Sequence, residues 1–148
     1  MKKIIGILGV FILFIFIFTR STSKQTENLF SNYAIQKTRI GKTVYTLYVA
    51  DTQEKRNKGL SDVQSLPVNS GMIFIFPNKG KYEFWMKDMK MSLDFIFVDG
   101  TKIVDSLFSI NPDTYPRIIK GSSQYNKVIE IPHGLVTTTN ATDVEFLN

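Results

Sequence analysis

The stretch GMIFIFPNKGKYEFWMKDMKMSLDFIFVDGTKIVDSLF, from Gly71 to Phe108, decides the fold. It is rich in aromatic and β-branched residues and is broken at regular intervals by Pro, Asn, Asp and Gly, which is strand and turn composition. Three strands are expected in succession, Gly71 to Phe76, Lys81 to Lys87 and Leu93 to Val98, and a turn at Asp99-Gly100 leads into a fourth, Thr101 to Phe108. Upstream, Ala34 to Ile40 and Thr43 to Ala50 flank Gly41-Lys42, a tight turn in which Gly supplies a positive φ. Asp51 is placed to cap a short helix over Thr52 to Lys58, with Glu54 three residues on and Gly59 ending it. A loop from Ser109 to Asn126 precedes two last strands, Lys127 to Ile131 and Asp143 to Leu147. Eight short strands and one short helix predict a mostly β domain over residues 34–148, an antiparallel sandwich or small barrel of jelly-roll character.

Alternation assigns the faces. Tyr82, Phe84 and Met86 point one way and Glu83, Trp85 and Lys87 the other, while Leu93, Phe95 and Phe97 oppose Asp94, Ile96 and Val98. The core is expected on the Phe84, Met86, Phe95 and Phe97 side. Trp85, Lys87 and Asp94 then lie on a second surface, where a large ring, a cation and an anion come together. Asp94 stands out in an apolar strand, because a buried carboxylate without a partner costs several kcal/mol. Lys87 or Arg56 is its expected ion-pair partner, and Arg56 is otherwise a helix-surface cation facing Glu54 or Asp51.

Ahead of the domain, Met1-Lys2-Lys3 leads into fifteen unbroken apolar or glycine residues, Ile4 to Phe18. As a helix this run through Thr19 spans about 24 Å against a hydrocarbon core of roughly 30 Å, a gap that Lys2, Lys3 and Arg20 can close by snorkelling. Residues 1–20 therefore read as an uncleaved membrane anchor or a cleaved export signal, with residues 21–33 a polar linker. Lys2 and Lys3 predict a cytoplasmic N-terminus and a domain on the outer side, single-pass in the cell membrane or, after cleavage, secreted. The charge supports this division. The chain carries 18 basic and 13 acidic side chains, but residues 1–33 hold four of the former and one of the latter. The domain is close to neutral, which removes the basic surface that nucleic-acid binding needs.

No cysteine and one histidine exclude disulfide scaffolds, zinc ribbons and thiol catalysis. Gly41-Lys42-Thr43 is not a phosphate loop, since Gln36 stands where the first glycine belongs and a strand follows. His133 sits in turn composition between Pro132 and Gly134, and the acids show no calcium-loop spacing, so neither metal nor cofactor is expected. No Gly-x-Ser-x-Gly elbow provides a serine nucleophile.

Taken together, Ala50-Asp51-Thr52, Arg56 to Leu60 as Arg-x-x-Gly-Leu, Leu66-Pro67, Gly71-Met72, Phe84-Trp85-Met86-Lys87 and Leu93-Asp94 form a pattern. It resembles that of domain-of-unknown-function family 192, small bacterial and archaeal proteins that often carry an N-terminal export segment. The likeness runs from about Val44 to Val136, and its most specific part is Phe-Trp-Met-Lys. Asp51, Gly59, Gly71, Met72 and Met86 belong to its structural motif. Departures are Ser92 where the family has Pro, Ser61-Asp62-Val63 where it has Met-x-Arg, and His133 where it has Ala. The resemblance implies a compact, mostly β domain of sandwich or jelly-roll character and no assigned activity.

Three functions follow as expectations. The first is an envelope accessory or binding module whose small polar ligand, a sugar or a zwitterion, meets Arg56, Trp85, Lys87 and Asp94, with residues 109–126 as a lid. The second is a hydrolase using Asp94 or Glu83 as acid or base with Lys87 stabilising an anion. The third is a structural protein that docks an envelope partner through exposed aromatic residues.

Overall fold

A computed structural model describes residues 29–135 and 141–148. The chain divides into two compact units, residues 1–32 and residues 33–148, and the second carries all that follows. The expected membrane segment, residues 4–18, and most of the expected linker lie outside the described residues. Among the described residues no helix is long and apolar enough to cross a membrane.

The second unit runs β1 (Ile35–Ile40), β2 (Thr43–Ala50), α1 (Gln53–Lys58), β3 (Ser70–Gly80), β4 (Leu93–Asp99), β5 (Lys102–Ile110), a 3-10 turn (Pro112–Thr114), β6 (Tyr125–Pro132) and β7 (Val144–Leu147). The seven strands form one sheet, ordered β5-β4-β6-β3-β2-β1-β7 and curled into a half-barrel, rather than the two sheets of a sandwich. Nor is it wholly antiparallel. β2 and β3 pair in parallel, Thr46 with Ser70 through Ala50 with Phe74, because α1 and the loop behind it carry the chain back to its starting end.

Both faces of the central strands are covered. Ile40, Tyr45, Leu47, Ile73, Ile96, Ile129 and Val144, drawn from six strands, meet in one cluster, which only the inside of the curl permits. Opposite residues of an antiparallel pair share a face. The pairings Ile73 with Ile129 and Ile96 with Ile129 therefore define the inner face. By the same pairings Met72, Phe74, Phe95, Phe97, Val128 and Glu130 form the outer face. Asp94 and Ile96 are thus directed into the main core, not onto a second surface as alternation alone suggested.

Lys81 to Lys87 is not a strand. Apart from a single bridge between Phe84 and Ile119, the segment crosses over the outer face outside the sheet. The alternation survives because one side still packs: Met86 is buried while Glu83, Trp85 and Lys87 are exposed. Phe74, Phe84 and Phe95 meet edge to face at 5.2 and 5.9 Å, and Phe97 lies 4.9 Å from Tyr125. That ring chain is the second core.

The cap of α1 is also displaced by one residue. Thr52 accepts from the Lys55 backbone N–H at 3.2 Å, and Asp51 instead takes the Lys55 Nζ at 3.2 Å. The lysine contact holds the Asp51 carboxyl below its ordinary pKa. Gly59 ends the helix as expected, at φ 49° and donating to Lys55 O.

Candidate functional site

α1 and the segment from Tyr82 to Met89 stand over the outer face and leave between them a pocket of about 350 Å³. The crossover between β2 and β3 puts α1 there. Gly59 lets the chain leave the helix close to the sheet, its Cα hydrogen facing the Phe74 ring where a Cβ would lie 3.4 Å away. On the opposite wall, Phe84 is held by paired backbone hydrogen bonds with Ile119, at 2.8 and 2.9 Å. Phe76 stacks on Tyr82 with centroids 3.6 Å apart and meets Phe84 edge-on at 6.2 Å. Aromatic side chains thus form one wall, and Gln53, Asn57, Lys58 and Ser61 give the side next to α1 a polar lining.

Arg56 closes one side. Its Nη1 donates to Asp51 O at 2.7 Å and Ile75 O at 2.9 Å, its Nη2 donates to Gln53 Oε1 at 3.3 Å, and the guanidinium lies 5.3 Å from the Phe76 ring centre. Three of its five N–H donors are thus occupied, and the Nε–H and one Nη2–H remain available. Those donors can receive a carboxylate or hydroxyls of a ligand.

The pocket also reaches Glu130, in the second half of β6. Met72 of β3 and Phe95 of β4 flank it on the same face, and both are wholly buried. Glu130 is only 5% exposed, and its carboxyl has no hydrogen bond or ion pair among the described residues. Burial alone pushes its pKa up to about 8, so the group is mostly a neutral acid at pH 7. It is a polar group at a cavity without a partner among the described residues.

Of the four residues expected to bind ligand, Arg56 and Trp85 line this pocket, and Lys87 and Asp94 do not. Trp85 is half exposed at the mouth. Lys87 points to solvent, and only its carbonyl is engaged, by Ser61 Oγ at 3.4 Å. Asp94 is buried on the inner face of β4. Its Oδ1 accepts the Ser109 N–H at 2.8 Å and lies 2.8 Å from His133 Nδ1. Its partner is thus His133 rather than Lys87 or Arg56, and a hydrolase built on Asp94 and Lys87 loses its shared site. Among the described residues no cluster of three or more His, Asp or Glu could hold a metal.

The sequence did not lead to Glu130 as a site residue, nor to His133 as the partner of Asp94. Glu130 interrupts Val128-Ile129-Glu130-Ile131 as Asp94 interrupts its own strand, and the same reasoning identifies it. His133 follows at the end of the same strand, but no sequence spacing joins it to Asp94, 39 residues earlier. Asp51 faces solvent, whereas Met72 and Met86 are fully buried packing residues.

Comparison with known proteins agrees with this architecture. The model of the family described as DUF192, uncharacterized ACR, matches residues 35–144. A crystal structure from Sinorhizobium meliloti 1021, of a protein proposed to be a transcription regulator, superimposes with a TM-score of 0.71 at 22% identity, covering 77% of this chain and 95% of that one. A protein of unknown function from Novosphingobium aromaticivorans DSM 12444 gives 0.66 at 22% identity, over 76% and 84% of the two chains. No curated protein matches the sequence significantly.

Proposed function

The chain belongs to the DUF192 family of uncharacterised proteins, and from that premise we propose that it is a binding module that takes a small polar ligand into the pocket between α1 and residues 82–89. The observation that carries this reading is Glu130. A carboxyl buried at a partly aromatic cavity, with no partner among the described residues, costs stability, and a bound polar group offsets that cost. Trp85 at the mouth and the free N–H donors of Arg56 supply a flat apolar surface and a directional polar contact, the combination that suits a sugar or a zwitterion. Residues 4–18 tether the module to the membrane with the domain outside, and the near-neutral domain speaks against nucleic acid as the partner.

The test uses the single tryptophan of the chain as reporter. Methyl β-glucoside and short zwitterions are titrated against Trp85 fluorescence. A saturable change is expected with at least one, and Phe84→Leu should weaken it about tenfold, because that ring forms the wall opposite α1. Saturable binding that Phe84→Leu and Glu130→Gln both leave untouched places the ligand elsewhere and removes the proposal. The tether is tested separately, by whether the intact N-terminus fractionates with membranes.

A further inference from the structure

Resting on the binding-module reading, we propose that the pocket selects a ligand bearing an ammonium group, which docks against the Glu130 carboxylate beside the aromatic wall. A neutral sugar hydroxyl would hydrogen-bond to Glu130 in either protonation state. A cation gains more, because opposite charges attract more strongly beside a carboxyl that is almost wholly buried and because an aromatic lining such as Phe74, Phe84 and Trp85 attracts positive charge. Among the described residues no cation supplies that contact: Glu130 has no ion pair there, and its strand neighbours Met72 and Phe95 are apolar.

The remaining charged and titratable groups of the pocket narrow the class further. α1 contributes Arg56 and Lys58, and the opposite wall contributes Glu83, which faces Lys120 at 3.6 Å, and Tyr82, whose hydroxyl donates to Asn78 O at 2.8 Å. β3 lines the pocket with Phe74, Phe76 and Pro77, all apolar. Lys58 is paired with Asp62 at 3.2 Å, whereas Arg56 has no ion pair among the described residues. The Arg56 cation disfavours a ligand that is purely cationic and favours one with an anionic group at its other end, received by the free N–H donors of Arg56. The class is therefore a zwitterion with its ammonium inward.

Proton balance supplies the readout. In the empty pocket near pH 7 Glu130 holds its proton, its pKa lying near 8. When the ammonium enters, the carboxyl O–H bond breaks, the proton passes to solvent, and an N–H of the ligand takes its place on the oxygen. Each binding event then releases close to one proton at pH 7 and progressively fewer above pH 8.

The probes are 4-(aminomethyl)benzoate and 4-(hydroxymethyl)benzoate, which share one shape and differ in the ammonium. Titration calorimetry of the full chain in two buffers of different ionisation enthalpy counts protons. The amine is expected to bind at least about tenfold tighter than the alcohol and to release nearly one proton at pH 7. Glu130→Gln should bring the two compounds within about threefold of each other and abolish the release. Equal binding by wild type, or preference without proton release, overturns the ammonium assignment and leaves the pocket intact. Failure of both compounds to bind overturns the ammonium assignment, and the pocket itself falls only if the sugar and zwitterion titrations of Trp85 fail as well. Should Glu130→Gln not fold, proton release by wild type decides alone.

Discussion

Glu130 makes stability depend on pH in a direction opposite to most carboxylates. Its pKa rises from the ordinary 4.5 in the unfolded chain to about 8 in the fold, so between those values the folded state holds a proton that the unfolded state has lost. Stability contributed by the neutral acid is complete below pH 4.5 and is lost as pH rises toward 8, by on the order of a few kcal/mol. Urea unfolding at pH 5 and pH 9 should show that decline in wild type, and Glu130→Gln should flatten it. Thr38 offers a second test. Its Oγ1 is buried without a hydrogen bond among the described residues, so Thr38→Val removes an unmet polar group and should raise stability by about 1 kcal/mol in the same assay. Asp94 behaves differently from both, since its carboxyl holds the Ser109 N–H and His133. Asp94→Ala should cost about 1–3 kcal/mol while ligand titration of Trp85 stays unchanged. A carboxylate in an apolar strand was therefore a legible signal, but its meaning was not. Asp94 and Glu130 read alike in one dimension, and only pairing across the sheet sends one into the main core beside His133 and the other to a cavity.

Among the elements, β3 bears the most constraints, because it joins the parallel crossover, the pocket wall and the β6 pairing. Gly71 is where these meet. A Cβ there would stand 2.3 Å from the Glu130 backbone oxygen, which is backbone and has no freedom to yield. Gly71→Ala should thus lower the unfolding midpoint sharply, by more than about 2 kcal/mol of stability, and displace Glu130 with it. Strand positions were legible from period-2 alternation, and β2 matches its expected span of Thr43 to Ala50. The role of residues 81–87 was not. Their alternation reports only that one side is buried, and a segment laid across a sheet alternates as well as one within it. Likewise the pairing of β2 with β3 depends on the return path of the chain. The short capped helix was visible in the sequence, but nothing in it stated that this helix makes β2 and β3 parallel.

At the scale of residues 33–148, the curl brings the two edges of the sheet together at one corner. β5 and β7 are the outermost strands, yet Lys102 bridges Asp143, with Ile103 N–H donating to Thr142 O at 2.9 Å and Val144 N–H donating to Thr101 O at 2.8 Å. These two bonds flank the 102 and 143 positions, which makes them a non-hydrogen-bonded antiparallel pair, the arrangement that brings facing Cβ atoms closest. That spacing falls within the reach of a disulfide. The chain has no other cysteine, so Lys102→Cys with Asp143→Cys has no wrong partner. Oxidation should join the two edges spontaneously and raise stability by about 2–4 kcal/mol over the reduced form, since the bond closes a long loop of the unfolded chain. The gain should vanish with reductant. Thiol titration after air oxidation reads the bond directly. Free thiols in the folded double variant would mean that the edges do not meet, and that the sheet is an open half-barrel held by its apolar inner face alone.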